Sequence, residues 1–336
     1  MLIDDNFFMS LAIDEAWKYQ GLTYPNPAVG CVAVGANKEI LAIEAHKCAG
    51  MPHAEVLALR SAYFKLTNDA KILDLVDSSE IHNYLLLNNN NCFKNISLYS
   101  TLEPCSHIGK TPSCASLISS LGIKEVFIGV ADANVIASAG ASIMLKSGVD
   151  VKYTSLQKRA QDLILPFKRF NKDQFIFFKW AQRLNATTDC GTISSQSSRV
   201  KVHAMRDVCD LLIIGGNTVR EDRPTLDSRL VQGKAPDVLI LSKSTNFDKN
   251  IPLFGVPSRE VYVEDNLSRI KNYKNIMIEG SFAMFELTKD IVDYHLCFLA
   301  PTMGGKNGFE EAKTSFEILY TNQEDKDIIL WMKREI

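Results

Sequence analysis

The sequence has little of what marks membrane-spanning, secreted or nucleic-acid-coating proteins. No apolar run approaches the roughly 18 residues that a membrane span needs, and the acids Asp4 and Asp5 stand where a secretory signal carries Lys or Arg. Eight cysteines in 336 residues are too few for a disulfide scaffold. With 37 Lys and Arg against 39 Asp and Glu, the net charge of -2 gives no broad positive field for nucleic acid or anionic membranes. We therefore expect a cytoplasmic protein.

The first half alternates between strand-like and helix-like patterns. The predicted strands are 30–34, 40–43, 96–102, 126–130 and 148–151, and the predicted helices are 7–20, 54–60 and 114–121. This alternation predicts an α/β layer with helices on both faces of one sheet. Between about 61 and 95, a segment that ends in four asparagines reads as an insertion with one or two short helices.

The length favours two domains, because a domain usually takes roughly 100–200 residues. A mixed aromatic and basic stretch at 165–171 places the junction near 152–172, and we assign the domains as 1–152 and 153–336. The second half again reads as α/β. Its predicted strands are 175–180, 211–214, 238–241, 261–263, 276–278 and 294–299, and its predicted helices are 196–208, 282–289 and parts of the C-terminal tail.

The most specific feature of the first half is a set of potential zinc ligands. His53 is followed two residues later by Glu55, and Cys105 and Cys114 come after a predicted strand that ends in a proline. One imidazole and two thiolates bind Zn²⁺ and leave a fourth position for water, whose pKa falls to about 7 on the metal. Glu55 need not be a ligand and can move protons as a general acid and base. This layout is that of zinc-dependent base deaminases.

Two plainer interpretations of these residues stay open. The histidine and the two thiols could be buried structural groups, although the Pro-Cys pair at a strand end with a second cysteine nearby argues against chance. A zinc-binding module without catalysis is the other interpretation, and Glu55 is the residue that discriminates it from an enzyme.

Three segments of the first half resemble one family in detail. They are PNPAVGC at 25–31, HKCAGMPHAE at 46–55 and PCSHIGKTPSC at 104–114, and they are similar to the bifunctional deaminase/reductase family of riboflavin biosynthesis. The resemblance implies a cytidine-deaminase-like three-layer domain that removes an exocyclic amine from a pyrimidine ribosyl 5′-phosphate. It also implies that Asn26, His46 and Lys110 contact the base or phosphate. For His107, substrate contact and packing of the zinc loop remain equal alternatives.

The second half resembles the reductase domain of the same family, which has a dihydrofolate-reductase-like fold and uses NADPH. The matching segments are GGNTVREDRPTL at 215–226, IEGS at 278–281 and APTMGG at 300–305. By this resemblance, the cofactor-binding residues are Thr218, Asp222 and Ser281, and the substrate-binding residues are Arg206, Leu226, Arg229 and Glu279. The implied reaction delivers hydride to ribose C1′ and opens the sugar to a ribityl chain.

The chain also departs from the family pattern. Residues 132–135 read DANV where DPNP is usual, 183–186 read RLNA where SLDG is usual, and Thr192 and Ser281 replace a tryptophan and a glycine. A structural C-terminal domain that does not reduce the substrate is therefore an alternative, and a nucleic-acid base deaminase is a second one. We expect a homo-oligomer that acts on a small phosphorylated pyrimidine and binds neither nucleic acid nor membrane.

Overall fold

The structure, a computed structural model, describes residues 4–106, 112–132, 139–189, 191–309 and 313–335. It contains two compact units, which divide between Lys168 and Arg169. The domain bounds assigned from the sequence, 1–152 and 153–336, stay a prediction. None of the helices in the described ranges is long and apolar enough to cross a membrane.

The first unit is built on a five-stranded sheet with the strand order β2-β1-β3-β4-β5. β1 is antiparallel to both β2 and β3, whereas β3, β4 and β5 are parallel. The strands are β1 (Gly30–Val34), β2 (Ile40–Ala45), β3 (Ser97–Leu102), β4 (Glu125–Val130) and β5 (Asp150–Tyr153). The helices are α1 (Asp5–Trp17), α2 (Ala54–Thr67), α3 (Ser78–Asn88), α4 (Cys114–Ser120) and α5 (Gly140–Lys146). A further helix, α6 (Gln157–Lys172), contains the division between the two units.

Close packing of α1 on β1 fixes the centre of this unit. All five residues of β1 are buried, as expected of a strand covered on both faces. A Cβ atom on Gly30 would lie 1.9 Å from the carbonyl oxygen of Ala12, so only glycine fits where the helix crosses the strand. In the predicted insertion, Asp69 and Asp77 cap a short 3₁₀ helix (Ala70–Asp74) and α3, respectively.

The second unit is built on an eight-stranded sheet with the order β12-β13-β11-β6-β10-β7-β8-β9. The six strands from β11 to β9 in this order are parallel, and the β12–β13 hairpin adds an antiparallel edge. The strands are β6 (Phe175–Arg183), β7 (Leu211–Gly215), β8 (Asp237–Leu241), β9 (Val261–Glu264), β10 (Asn275–Glu279), β11 (Tyr294–Ala300), β12 (Phe316–Glu324) and β13 (Asp327–Arg334). The helices are α7 (Gln196–Val208), α8 (Gly216–Asp222) and α9 (Phe282–Thr288).

The prediction of helix in the C-terminal tail is wrong. Residues 316–334 form the β12–β13 hairpin, whose turn contains Asp325 with a φ of 56°. The physical reason lies in the composition of the segment, which holds five isoleucine or leucine residues, Tyr320 and Trp331 among polar residues. Residues of this kind fit the pleated, half-buried surface that the free edge of β11 offers. The predicted α/β class is confirmed for both units.

The core of the second unit contains a buried histidine among aromatic rings. His295 on β11 is fully buried, with its ring centroid 5.0 Å from Phe316 and 5.6 Å from Phe285. In the described part of the chain, neither ring nitrogen has a hydrogen-bond partner. Burial, assisted by Arg334, lowers the pKa of His295 to about 4, so the folded state holds this side chain neutral.

We therefore expect His295 to make the second unit sensitive to acid. Because the pKa is lowered from 6.5 to about 4, the unfolded chain takes up the proton first. The contribution of His295 to the free energy of unfolding is then constant above pH 6.5 and falls between pH 6.5 and 4. The fall from pH 7.5 to pH 5 is about 2 kcal/mol. His295→Phe should remove this loss, measured by urea unfolding at both pH values. An unchanged pH dependence in the variant would show that other groups are responsible.

Candidate active sites

His53, Cys105 and Cys114 converge at one place in the first unit. His53 Nδ1 lies 3.4 Å from Cys114 Sγ and 3.7 Å from Cys105 Sγ, and one ligand atom from each residue lies within 4.8 Å of the others. His53 is the N-cap residue of α2, and Cys114 is the first residue of α4. Hydrogen bonds from the Cys114 thiol and then from His53 lower the pKa of Cys105, although burial opposes them. Cys105 is therefore the more readily ionised of the two thiols.

The Glu55 carboxyl is buried next to these residues. The side chain belongs to the first turn of α2 and is 4% exposed. Its Oε1 accepts a hydrogen bond of 3.4 Å from the Ser100 hydroxyl, which lies on β3. Burial raises the pKa of Glu55, against the opposing effect of His53. A carboxyl in this state exchanges protons more readily near neutral pH than an exposed one does.

Hydrogen bonds fix the position of Cys105 relative to Cys114. Ser113 donates through its hydroxyl to the carbonyl of Cys105 at 2.8 Å and accepts from the amide of Ser116, which caps α4. The backbone amide of Cys114 donates to Cys105 Sγ at 3.4 Å. A local capping motif therefore fixes the spacing of Cys105 and Cys114 at the start of a helix.

Glu103 is a buried carboxylate that the sequence analysis missed. Its side chain accepts hydrogen bonds from the amide of Asp132 at 3.2 Å and from the amide of Ala141 at 2.9 Å. It thereby joins the end of β3 to the end of β4 and to the start of α5. A Cβ on Gly140 would lie 1.8 Å from the carbonyl oxygen of Pro104, so α5 packs directly on the Pro-Cys turn. The only sequence signal for Glu103 is its position immediately before Pro104.

Asn26 and His46 contact each other beside His53. Asn26 Nδ2 lies 3.0 Å from His46 Nε2, and His46 Nδ1 lies 3.1 Å from the carbonyl oxygen of Pro52. A carbonyl only accepts, so Nδ1 carries the proton, Nε2 accepts from Asn26, and the ring is neutral. Burial also lowers the pKa of His46. The His46 and His53 rings meet edge to face at 5.6 Å. The other two predicted residues of this group, His107 and Lys110, lie outside the described residues.

A large cavity of about 860 Å³ lies in the second unit. Residues that follow the carboxyl ends of β10, β7 and β8 line it, together with α8 and α9. This is the edge at which open parallel sheets bind ligands. Three predicted cofactor residues, Thr218, Asp222 and Ser281, line this cavity. Ser281 has an extended backbone with a φ of -107°, so its Cβ causes no strain.

A cluster of three charged side chains lines part of the cavity. Arg206 on α7 donates to both carboxylate oxygens of Glu279, from Nε at 2.8 Å and from Nη2 at 3.0 Å. Lys179 on β6 donates to Glu279 Oε2 at 3.3 Å. Burial alone would raise the pKa of Glu279, but Arg206 and then Lys179 outweigh it and lower the pKa to about 2. Glu279 is therefore ionised. Arg206, Lys179 and Glu279 together carry one net positive charge.

A second cavity of about 410 Å³ is lined by Lys179 and Arg206 of this cluster and by Leu226 and Arg229. Each of the four predicted substrate residues of this unit therefore lines at least one of the two cavities, and Arg206 and Leu226 line both. Arg229 forms an ion pair of 2.7 Å with Asp227. Two further residues line this cavity that the sequence analysis missed, Lys179 and His203. Burial lowers the pKa of His203 to about 4, so this imidazole is neutral near pH 7.

The segment that departs from the family pattern has its own hydrogen bonds. Arg183 is 8% exposed and donates to the carbonyl oxygen of Asp189 at 2.7 Å. Asn185 donates to the carbonyl oxygen of Gly304 at 2.9 Å, and the Asp189 carboxylate accepts from the amides of Lys306 and Asn307. These contacts join residues 183–189 to the loop after β11, which borders the large cavity.

Comparisons with known proteins follow the same division into two units. Residues 2–130 match the model of the cytidine and deoxycytidylate deaminase zinc-binding region, and residues 182–317 match the model of the RibD C-terminal domain. The riboflavin biosynthesis protein RibD of Bacillus amyloliquefaciens is 33% identical over 234 residues, which are 67% of this chain and 56% of that protein. RibD of Aquifex aeolicus is 33% identical over 71% of this chain and 61% of that protein. The chain belongs to the RibD family.

Two solved structures share the fold of this chain. A deaminase/reductase of Thermotoga maritima, described as a diaminohydroxyphosphoribosylaminopyrimidine deaminase and 5-amino-6-(5-phosphoribosylamino)uracil reductase, has a TM-score of 0.64 and 26% identity. That alignment covers 98% of both chains. RibD of Acinetobacter baumannii shares the fold, with a TM-score of 0.63 at 22% identity. The chain spans 56% and 61% of the length of the two curated relatives given above.

The donor atoms of the first unit fit the zinc ion that the RibD family implies. At tetrahedral angles, bonds of about 2.0–2.1 Å to nitrogen and about 2.3 Å to sulfur separate the two ligand atoms by about 3.5 Å. The distances from His53 Nδ1 to the two sulfurs, 3.4 and 3.7 Å, match this separation. Three ligands leave one position open, which is typical of a catalytic zinc site.

The large cavity fits the NADPH that the RibD family implies. Its volume of about 860 Å³ lies within the range of cofactor sites. Gly215, Gly216 and Gly280 line it at the ends of β7 and β10.

Proposed function

We propose that the first unit is a zinc-dependent hydrolase that deaminates 2,5-diamino-6-ribosylamino-4(3H)-pyrimidinone 5′-phosphate. The observation that carries the proposal is the buried Glu55 carboxyl beside the convergent atoms of His53, Cys105 and Cys114. A structural zinc site has four protein ligands and needs no buried carboxyl beside them. The similarity of this chain to the Thermotoga maritima protein, which is described as a diaminohydroxyphosphoribosylaminopyrimidine deaminase, supports the proposed substrate.

In this mechanism, Glu55 moves two protons. Bound zinc supplies a water molecule that is acidic enough to be a nucleophile near neutral pH. Glu55 would accept the first proton of this water as the hydroxide adds to the ring carbon, and would pass it to the adjacent ring nitrogen. It would then take the second proton from the new hydroxyl and give it to the exocyclic amine, which leaves as ammonia while the ring carbon becomes a carbonyl. The raised pKa of Glu55, caused by burial, suits a carboxyl that is protonated midway through the reaction. Asn26 holds the neutral His46 ring against His53 and so orients this ligand.

We propose that the second unit is an NADPH oxidoreductase that reduces the ribosyl group to a ribityl group. Bound NADPH would supply a hydride for C1′ of the ribose, whose bond to the ring oxygen breaks, and that oxygen would take a proton and become a hydroxyl. Arg206 and Lys179 line both cavities, and Glu279, which lines the larger one, accepts hydrogen bonds from both of them. Their excess positive charge favours an anionic, phosphorylated substrate.

One coupled assay tests both activities. Purified, zinc-loaded chain is given the diamino pyrimidine, and ammonia release and NADPH absorbance are followed together. We expect ammonia release without NADPH, and NADPH oxidation only after deamination. Ammonia release without NADPH oxidation would favour a second unit with a purely structural role. Deamination of single-stranded DNA or tRNA, in place of the pyrimidine, would contradict the proposed substrate.

We also infer that the protein acts as a cytoplasmic homo-oligomer on small molecules alone. The net charge of -2 supports small phosphorylated substrates over polymers, because it provides no broad positive surface. Sedimentation of the full chain, alone and with a nucleic-acid duplex, tests the oligomeric state and the absence of nucleic-acid binding.

A further inference from the structure

Three neighbouring strands of the second unit end at one side of the large cavity. In sheet order these strands are β10, β7 and β8, which are parallel. Glu279 ends β10, Gly215 ends β7, and Lys243 follows the end of β8 by two residues. All three residues line the cavity. Since adjacent strands lie about 4.8 Å apart, the backbone of Glu279 and that of β8 are separated by roughly 10 Å.

This order gives a direction to an elongated cofactor. The substrate residues Arg206 and Leu226 line both cavities, so the end of the cofactor that transfers hydride lies on the β10 side. Gly215 and Gly216 come next in the lining and would lie beside the middle of the cofactor. The adenosine end then extends toward the end of β8, where Lys243 lies.

The loop that carries Lys243 is fastened to α8. Arg220 on α8 donates to the Ser242 hydroxyl and to the carbonyl oxygen of Ser244, both at 3.2 Å, and its guanidinium stacks 4.2 Å from the centre of the Phe247 ring. A Cβ on Gly216 would lie 2.6 Å from the side chain of Ser242, so loop and helix are in direct contact. Lys243 is therefore attached to a fixed position at the cavity edge.

Lys243 also differs from the other cations of this cavity. Lys179 and Arg206 are both held by Glu279. Lys243 is exposed and, within the residues that the structure describes, forms neither an ion pair nor a side-chain hydrogen bond. Glu221 and Asp222 on α8 line the same cavity and add negative charge to it, so an anionic ligand needs a cation nearby. Lysine is a common phosphate-binding residue because its ammonium group is a compact point charge.

We propose that Lys243 binds the 2′-phosphate of NADPH and selects this cofactor over NADH. The inference rests on the proposed reductase function and adds its cofactor specificity to it. Arg220 positions Lys243 through Ser242 and Ser244. The pyrophosphate is common to both cofactors, whereas only NADPH carries a phosphate on the adenosine ribose, so the two contacts are separable by experiment.

Equilibrium binding to the zinc-loaded full chain tests the assignment without any turnover. NADPH and NADH are titrated by their fluorescence, and 2′,5′-ADP competes as a probe of the phosphorylated end. For Lys243→Gln, we expect NADPH to bind roughly tenfold to a hundredfold more weakly and NADH to change less than about twofold. In the parent chain, added salt should weaken NADPH binding more than NADH binding.

Lys249→Gln is the matched control. Lys249 lies in the same connection after β8, with Nζ 4.4 Å from the centre of the Phe254 ring, and it is not among the residues that line the cavity. We expect this variant to bind both cofactors as the parent chain does. An equal loss of NADPH and NADH binding in Lys243→Gln would overturn the 2′-phosphate assignment and leave the reductase function intact. Failure of the parent chain to bind either cofactor would overturn both.

Discussion

Replacing Glu55 with glutamine is expected to reduce ammonia release by roughly a hundredfold to ten-thousandfold, the usual contribution of a general acid–base residue. Glutamine keeps the shape of the side chain and can still contact Ser100, but it cannot accept a proton from water. Zinc content should stay at one ion per chain, because His53, Cys105 and Cys114 are unchanged. Ammonia release and metal content are measured on the same preparation.

The control for this variant is Glu80→Gln, which changes an exposed glutamate in the first turn of α3. It should leave both ammonia release and zinc content at the level of the parent chain. Because burial raises the pKa of Glu55, its removal should not destabilise the fold, and thermal unfolding provides the check. If Glu55→Gln retained zinc and full activity, the acid–base role would be wrong and a zinc-binding module would be the better interpretation.

The convergence of the three proposed zinc ligands could be predicted from the sequence because local structure determines their positions. His53 caps α2, Cys105 follows the end of β3, and Cys114 starts α4, and each of these positions has a signal in the adjacent residues. Strand and helix patterns likewise predict β1 and α7 at their observed bounds. In both cases the decisive information lies within a few residues along the chain.

Contacts between distant elements could not be predicted in the same way. The Asn26–His46 pair forms between a turn and a loop. The sequence suggests that each residue contacts substrate and gives no sign that the two contact each other. Lys179 and Glu279 are register partners on β6 and β10, which are neighbours in the sheet although 100 residues separate them in the chain. Periodicity indicates that strands exist but not which strands pair.

The departures from the family pattern show a further limit of sequence reasoning. Because Ser281 stands where the family has glycine, its side chain suggests an obstructed phosphate site. In the structure, however, Ser281 has an extended backbone and lines a large cavity. Arg183 and Asn185 replace smaller or acidic residues and bond to backbone carbonyls of nearby loops. A substitution removes a function only if the surrounding chain does not accommodate it, and here the cavity remains.

Replacing Glu279 with glutamine should have the largest effect on the second unit. The carboxylate is the shared partner of Arg206 and Lys179, and its side chain is 12% exposed. Loss of its charge leaves two cations facing each other in a buried site, which costs roughly 3–5 kcal/mol. We expect a lower unfolding temperature for the second unit in calorimetry, together with the loss of NADPH oxidation, while ammonia release by the first unit persists.

The pH dependence separates this electrostatic role from simple packing. The pKa of Glu279 is lowered to about 2 from an ordinary 4.5, because Arg206 and Lys179 outweigh the effect of burial. Its contribution to stability is therefore complete above pH 4.5 and is lost as the pH falls toward 2. The parent chain and Glu279→Gln should converge in stability over this window. Replacing Arg206 as well, in Arg206→Gln with Glu279→Gln, should recover part of the loss, because one unpaired cation is removed. Equal losses in the single and double variants at every pH would instead indicate that packing, and not charge, holds this wall of the cavity.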